Sequence, residues 1–460
     1  MSRRRVNYLI TGLLLIVCCS VQLPRDSVTR ADLYGFPETI EAPLPDTSNV
    51  DCFLRRIAAD TWKYFENCVD RRTGLVVDKI WLAPDEIADY TSITNIGLYL
   101  LAVISAEDFG FIDQRTAQQR IRATLHTLRR LPQHNGFFYN WYDLKTLKES
   151  RKYVSTVDAA WLCFSLAVVA QTYPIFAKIC RDLNEGTDFR WLYDDAHQQF
   201  YLGYDAEKGE YSPYHYSLLC SESRICGYWA MMRNQIPVKY WYHQWRTAPD
   251  DFEQAQVPEG EIAEALGVRY FKGHYRYKEM KIVPSWGGAL FEFLMPGLLI
   301  DERNLAPGGI GENNRRAIKA HIDYALTETH FPVWGMSPST NPQRGYSEYG
   351  VPDIGTRKDG YAPDVVSPHA SLLALAYDPE VVIANLKRMA AEYPIYGEYG
   401  FYDSINPRSR EVGRAYLALD QAMILISLNN YLNDGKILKR VEKLAGFETI
   451  RDLLMTDNFF

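Results

Sequence analysis

The chain has 460 residues, 47% of them hydrophobic, enough to bury a large core without disulfide or metal staples. Its 50 Lys and Arg against 57 Asp and Glu leave a formal charge of -7 with no basic stripe, which excludes a nucleic-acid role. Aromatic residues make up 13%, a supply that suits either a ring-rich core or a cleft walled by flat rings.

The N-terminus has the pattern of an export signal. Ser2-Arg3-Arg4-Arg5 is a basic start, and Leu9 to Val17 is an apolar run, short for a membrane span and of the length of a signal's apolar core. Cys18 and Cys19 follow, as in a lipoprotein signal whose cysteine is acylated, although Val17 stands where Gly or Ala is usual. An uncleaved membrane anchor is the alternative. Residues 1–45 are read as signal plus tether, with Pro37, Pro43 and Pro45 suiting an extended linker, and 46–460 as one domain.

From there the periodicity predicts helix after helix. Phe53, Leu54, Ile57, Ala58, Thr61, Trp62 and Phe65 keep near-3.6 spacing over 51–69. Further helices are expected over 92–107, 113–131, 157–183 and 221–233, the last opening on Ser221 as N-cap. Later ones fall over 287–301, 311–328, 367–376, 379–392, 410–432 and 434–444. Extended segments are few. Phe200–Tyr204 and Tyr211–His215 flank an expected turn at 207–210, and Arg269–Val283 alternates rings with charges. No domain-scale linker appears after residue 50, so the chain reads as an all-α domain of α-hairpins with a few short β-hairpins in its loops.

Six cysteines beyond the leader show no C-x-x-C pair, and His215, His243, His274, His321, His330 and His369 show no paired ligand spacing, so no metal or cofactor is implied. Gly308-Gly309-Ile310-Gly311 follows no strand and is only a loop. The chemistry lies instead in carboxylates set among rings. One cluster is Gly136-Phe-Phe-Tyr-Asn-Trp-Tyr-Asp143 with Tyr153-Val-Ser-Thr-Val-Asp158, and the other is Ser285-Trp-Gly-Gly-Ala-Leu-Phe-Glu-Phe-Leu-Met-Pro296. Rings cover the C–H faces of sugars and carboxylates accept from their hydroxyls, so such clusters point to a glycan.

Those two clusters resemble motifs of the glucoamylase-like proteins related to endo-β-1,2-glucanases and to the glycoamylase-like domain of cyclic β-1,2-glucan synthases. Phe331-Pro-Val-Trp-Gly335, Gly360-Tyr-Ala-Pro363, Gly400-Phe-Tyr-Asp403 and Leu419-Asp420-Gln421 follow in the same order, so the likeness covers roughly 50–450. It implies an (α/α)6 toroid and an exported, cofactor-free inverting glycoside hydrolase, a monomer acting on a glucan, with β-1,2-glucan as the expected substrate. A periplasmic or cell-surface location follows from the leader, with membrane attachment through an acylated cysteine as one form of it. Departures lie at Met336-Ser-Pro-Ser339 and Val154-Ser-Thr-Val157, where the family has acidic stretches, and they keep open a non-catalytic glycan-binding or polysaccharide-assembly protein.

The resemblance places the general acid at Glu222, in Ser221-Glu-Ser-Arg224; the plain reading is a helix-start glutamate paired with Arg224. Asp403 is the candidate base, with Asp420 its rival and an Asx turn its bland alternative. Asp143 and Asp158 are expected as subsite carboxylates or helix caps, and Glu292 as a sugar ligand or a buried polar bridge. Trp141, Tyr142, Trp286, Trp334 and Tyr402 are the candidate stacking platforms.

Overall fold

Three helices are apolar on every side: Ile93–Phe109, Thr156–Thr172 and Ala418–Leu432. A helix without a polar face belongs inside, and the packing of the computed structural model, which describes residues 27–250 and 252–460, puts them there. Ile93–Phe109 lies between the other two, Thr156–Thr172 continues onto Arg224–Met232, and Ala418–Leu432 onto Pro368–Leu373, which meets Leu290–Leu294. One-sided helices cover this layer. Val50–Asn67 packs on Ala418–Leu432, Gln114–Leu128 on Ile93–Phe109, Ala177–Glu185 on Thr156–Thr172, Ile310–Tyr324 on Leu290–Leu294 and Pro379–Glu392 on Pro368–Leu373. The protein is therefore mostly helical, with short hairpins in the loops.

Local chemistry sets the ends. Asn49, Ser92, Asp113 and Ser155 each accept from a backbone N–H in the first turn of the helix that follows. Gly110, at φ 76°, closes Ile93–Phe109 in the left-handed conformation. The run expected over 157–183 breaks at Tyr173-Pro174, because proline has no N–H to continue the ladder. The helix expected over 287–301 shrinks to Leu290–Leu294 plus a 3-10 turn, since Pro296 and Gly297 cannot extend it. That expected over 410–432 starts only at Ala418, the preceding residues forming strands Val412–Gly413 and Ala415–Leu417. Phe447–Thr456 is a helix the periodicity did not single out.

The strands serve as leads into the inner helices. Tyr90–Ser92, Tyr153–Ser155 and Ala415–Leu417 each run straight into one, and each is held by an antiparallel partner: Trp141–Asp143, Gly203–Asp205 and Lys79–Trp81 respectively. A larger hairpin, Glu259–Ala265 against Val268–Tyr277, stands apart. Among the described residues no helix is long and apolar enough to cross a membrane. The expected signal with Cys18 and Cys19 lies outside the described residues.

The expected tether is different from residue 27 onward. Val28 and Leu33 are buried, Lys145 pairs with Asp32 at 2.6 Å, and Glu398 accepts from the backbone of Glu38 and Thr39 at 2.8 and 2.9 Å. Segment 27–45 thus lies against the body, because two apolar side chains and a row of backbone donors find partners there. The cysteines of the described chain are free thiols, Cys52 exposed and the other five buried.

Candidate active site

Six inner helices present polar groups from their first turns or the residues just before them. These are Thr94 and Asn95, Asp158, Glu222, Glu292, His369 and Asp420. All but Asp158 are at most 7% exposed, so each needs a partner or must give up its charge.

Glu222, Glu292 and Asp158 form one group. Glu222 sits in the turn before Arg224–Met232, not inside the helix as expected, and its Oε2 accepts from Ser221 Oγ at 2.9 Å. The expected pairing with Arg224 is not made. That guanidinium binds Glu302 through Nε and Nη2 at 2.7 and 2.8 Å, and donates to the carbonyls of Ser221, Glu292 and Phe293. It is a buried brace joining the turn of Glu222 to the segment of Glu292. Burial raises the Glu222 carboxyl above its usual range, and the nearby Asp158 adds to the effect. Glu292 takes Ser285 Oγ at 2.6 Å and the Gly287 and Ala289 N–H groups at 3.1 Å on Oε2. Burial, then the charge of Glu222, still pushes it up to about 8. Asp158 is raised by burial as well, although Thr94 Oγ1 donates to it at 2.5 Å and Ser155 Oγ to its other oxygen. With its amide nitrogen turned to Asp158, Asn140 adds bonds of 3.1 and 3.2 Å and accepts from Trp141 Nε1 at 3.2 Å.

Asp403, Asp420 and His369 form the second group, with donor atoms all within 4.8 Å of one another. Asp403 follows the hairpin strand Gly400–Phe401, and its Oδ2 accepts from Thr340 N and Thr340 Oγ1, both at 2.7 Å. Its Oδ1 and Asp420 Oδ2 are buried without a hydrogen-bond partner. Burial and the adjacent Asp403 hold Asp420 well above the carboxylate range, so it keeps its proton. His369 Nδ1 lies 3.8 Å from Asp420, and burial lowers the imidazole to about 4, leaving it neutral. Asp78, bonded by Asn95 Nδ2 at 2.7 Å, adds its field from the next strand, and burial raises it too. Beside Glu292 stand Tyr361, whose hydroxyl lies 3.4 Å from it, and Arg357, which packs on the Tyr361 ring and pairs with Glu348 at 3.1 Å.

The expected platforms divide. Trp141 and Trp286 are partly exposed beside Asp158 and Glu292. Tyr142, Trp334 and Tyr402 are core residues, at 0%, 4% and 1% exposure. Tyr142 Oη donates to Pro132 O at 2.6 Å, Tyr402 Oη to Ile40 O at 2.6 Å, and Trp334 O accepts from Ser371 and Asn385. Packed on all sides, they leave no face for a sugar. Asp143 is also accounted for locally: its Oδ1 takes Lys145 N, Thr146 N and Thr146 Oγ1, closing an Asx turn. Asp78, Thr340, His369 and Tyr361 were not singled out from sequence. Nothing local in the sequence marks Thr94, Asn95 or His369.

Comparison with known proteins follows the same line. Residues 259–445 match the Glycoamylase family model, described as "Putative glucoamylase", and residues 56–202 match a family of unknown function, DUF3131. The chain is 23% identical to cyclic beta-(1,2)-glucan synthase NdvB of Rhizobium meliloti (strain 1021), over 84% of this chain and 18% of that protein. It is 21% identical to the exo beta-1,2-glucooligosaccharide sophorohydrolase (non-reducing end) of Parabacteroides distasonis, over 82% of this chain and 54% of that one. The chain thus spans about a fifth and about half of the lengths of these curated relatives. In structure it resembles the endo-beta-1,2-glucanase of Chitinophaga pinensis, solved with sophorotriose and glucose, with TM-score 0.71, 17% identity, and coverage of 88% of this chain and 98% of that chain. In fold the chain is thus like this solved glucanase.

Proposed function

We propose that this chain, whose residues 259–445 match the Glycoamylase family model, is an exported glycoside hydrolase that cleaves β-1,2-glucan with inversion. The carrying observation is the pair of buried carboxyl groups at the same ends of the inner helices. One contains Glu222, whose carboxyl burial raises above its usual range; the other contains Asp403, fixed by two donors beside Asp420, which burial and Asp403 hold well above the carboxylate range. Inversion needs that division of labour: Glu222 protonates the leaving oxygen, and Asp403 takes a proton from the attacking water. Asp420 keeps the proton of its pair and so cannot serve as the base. Asp158, Glu292, Trp141 and Trp286 line the path of the sugar chain. The relatives' action on β-1,2-glucans supports the linkage.

The inner helices close in this proposal as an (α/α)6 toroid. Arg224 supports the closure, since it ties Arg224–Met232 to the carbonyls of Glu292 and Phe293. The domain acts as a monomer without a cofactor. The leader carries it to the periplasm or cell surface, which membrane fractionation of the expressing cell tests.

The decisive assay incubates purified protein with linkage-defined glucans and reads reducing ends, product lengths and, by NMR, the first anomer. We expect release from β-1,2-glucan with the inverted anomer first. Glu222→Gln and Asp403→Asn should each lower turnover roughly 10²–10⁴-fold while folding and glucan binding persist. Near-wild-type turnover in both variants would falsify the assignment. Binding without release by the wild-type protein would favour the glycan-binding reading, whose motive is the altered stretch at Val154–Val157.

A further inference from the structure

We propose a zinc(II) site, separate from the carboxyl groups above, formed by Asp194, His197 and His215. Strand Tyr193–Asp194 pairs with Gln199–Tyr201, which pairs on its other edge with His215–Tyr216. The turn between the first two strands carries His197 over Asp194. Asp194 Oδ1 closes that turn, accepting from Ala196 N at 2.9 Å and His197 N at 3.4 Å. Its other oxygen is thereby aimed at both imidazoles, 2.7 Å from His197 Nδ1 and 2.9 Å from His215 Nε2. The three donor atoms lie within 4.8 Å of one another. Tyr201 hydrogen-bonds Asp194 and stacks on the His215 ring at 4.8 Å, fixing both from behind.

This is a two-nitrogen, one-carboxylate face contributed by a turn and a neighbouring strand. Imidazole nitrogens select zinc, copper or nickel over calcium and magnesium, and a three-ligand face leaves a fourth position for water. Zinc bonds of roughly 2.0–2.2 Å at tetrahedral angles need donors roughly 3.3 Å apart. The observed contacts must open by about half an ångström. His197 can supply that movement, because its side chain is 66% exposed while those of Asp194 and His215 are 11% and 16%. The same asymmetry gives the ion a way in. Bound zinc would tie the turn to strand His215–Tyr216, from which the chain runs through Ser217, bonded to Gln199 at 2.6 Å, to the Glu222 turn. Its role is therefore to hold that strand pair, with no part in bond cleavage.

The test uses the full chain, stripped with chelator and titrated with ZnCl2 at pH 7.5 by calorimetry, with CaCl2 as control. We expect saturable binding of one zinc per chain, absent with calcium. Zinc at a hundredfold over its Kd should raise the thermal midpoint by about 3 °C. His197→Ala and His215→Ala should each weaken binding at least tenfold, and the metal-edge X-ray spectrum should show imidazole nitrogen at about 2.0 Å. Circular dichroism without zinc checks that the variants fold, and His197→Gln repeats the measurement at an exposed position. Absence of saturable binding, binding unchanged in the double His variant, or binding lost instead in His369→Ala would overturn the proposal.

Discussion

Replacing Glu292 with Gln measures the cost of burying that carboxyl. In the folded chain it is pushed up to about 8 from a usual 4.5, by burial and by Glu222. A carboxyl raised on folding gives stability that is complete below its unfolded value and is lost as pH rises through the folded one. The window is therefore pH 4.5 to 8. The difference of about 3.5 units, at 1.36 kcal/mol each, is about 5 kcal/mol. Glutamine copies the protonated acid: its oxygen can take the Ser285, Gly287 and Ala289 donors, and its amide can face Tyr361 Oη. The variant should match wild type near pH 4.5 and exceed it by up to about 5 kcal/mol above pH 8. For a domain of this size that is a rise in thermal midpoint of about 5 °C. Scanning calorimetry or urea unfolding at pH 5, 7 and 8.5 gives the comparison. Parallel stability–pH curves for the two proteins would refute the burial argument, and a variant weaker at every pH would show that the network needs the carboxyl itself.

Two further outcomes follow from the packing. Arg224→Met leaves Glu302 buried without its cation and should cost about 3–5 kcal/mol, while Arg224→Met with Glu302→Leu should recover much of it; denaturant midpoints for both decide. Removal of residues 1–45 should lower the thermal midpoint below that of a chain lacking only 1–26, because Val28, Leu33 and the contacts to Lys145 and Glu398 go with the longer cut. Equal midpoints for the two truncations would contradict a docked segment.

How far the site could be read from the sequence depended on whether its signal was local. Helix positions follow from spacing, and Pro379–Glu392 lies where the pattern put it, since Asp378 caps it and the proline at its first position fixes its start. Asp143 had a local signal that favoured the bland alternative: Asp143-Leu-Lys-Thr146 is an Asx turn, and the structure uses it as one. The rings had none. Tyr142 and Trp141 are neighbours in one strand, so alternation sends one into the core and the other toward Asp158, but which face is the core is fixed by distant helices. His369 and Asp78 are isolated in the sequence and become site residues only when two inner helices bring their starts together.

The same placement sets two opposing effects on each acid. A helix start favours the charged carboxylate by about 0.3–1 kcal/mol, or up to about 2 when partly buried. Burial opposes it, and at Glu292 the net shift of about 5 kcal/mol runs against the dipole and three hydrogen-bond donors together. Burial therefore wins at these positions. The raised carboxyls of Glu222, Asp158 and Asp420 point the same way, each with desolvation as the largest cause. Had the dipole won, the site would hold four carboxylates repelling one another and no acid. Because burial wins, these carboxyls are shifted toward the protonated form, the form that a general acid needs. The acid therefore depends on the apolar packing behind it. Hydrophilic substitution in the shell under Glu222, at Leu219 or Cys226, both buried, should lower the pH of the alkaline limb of turnover before it changes the rate at the optimum.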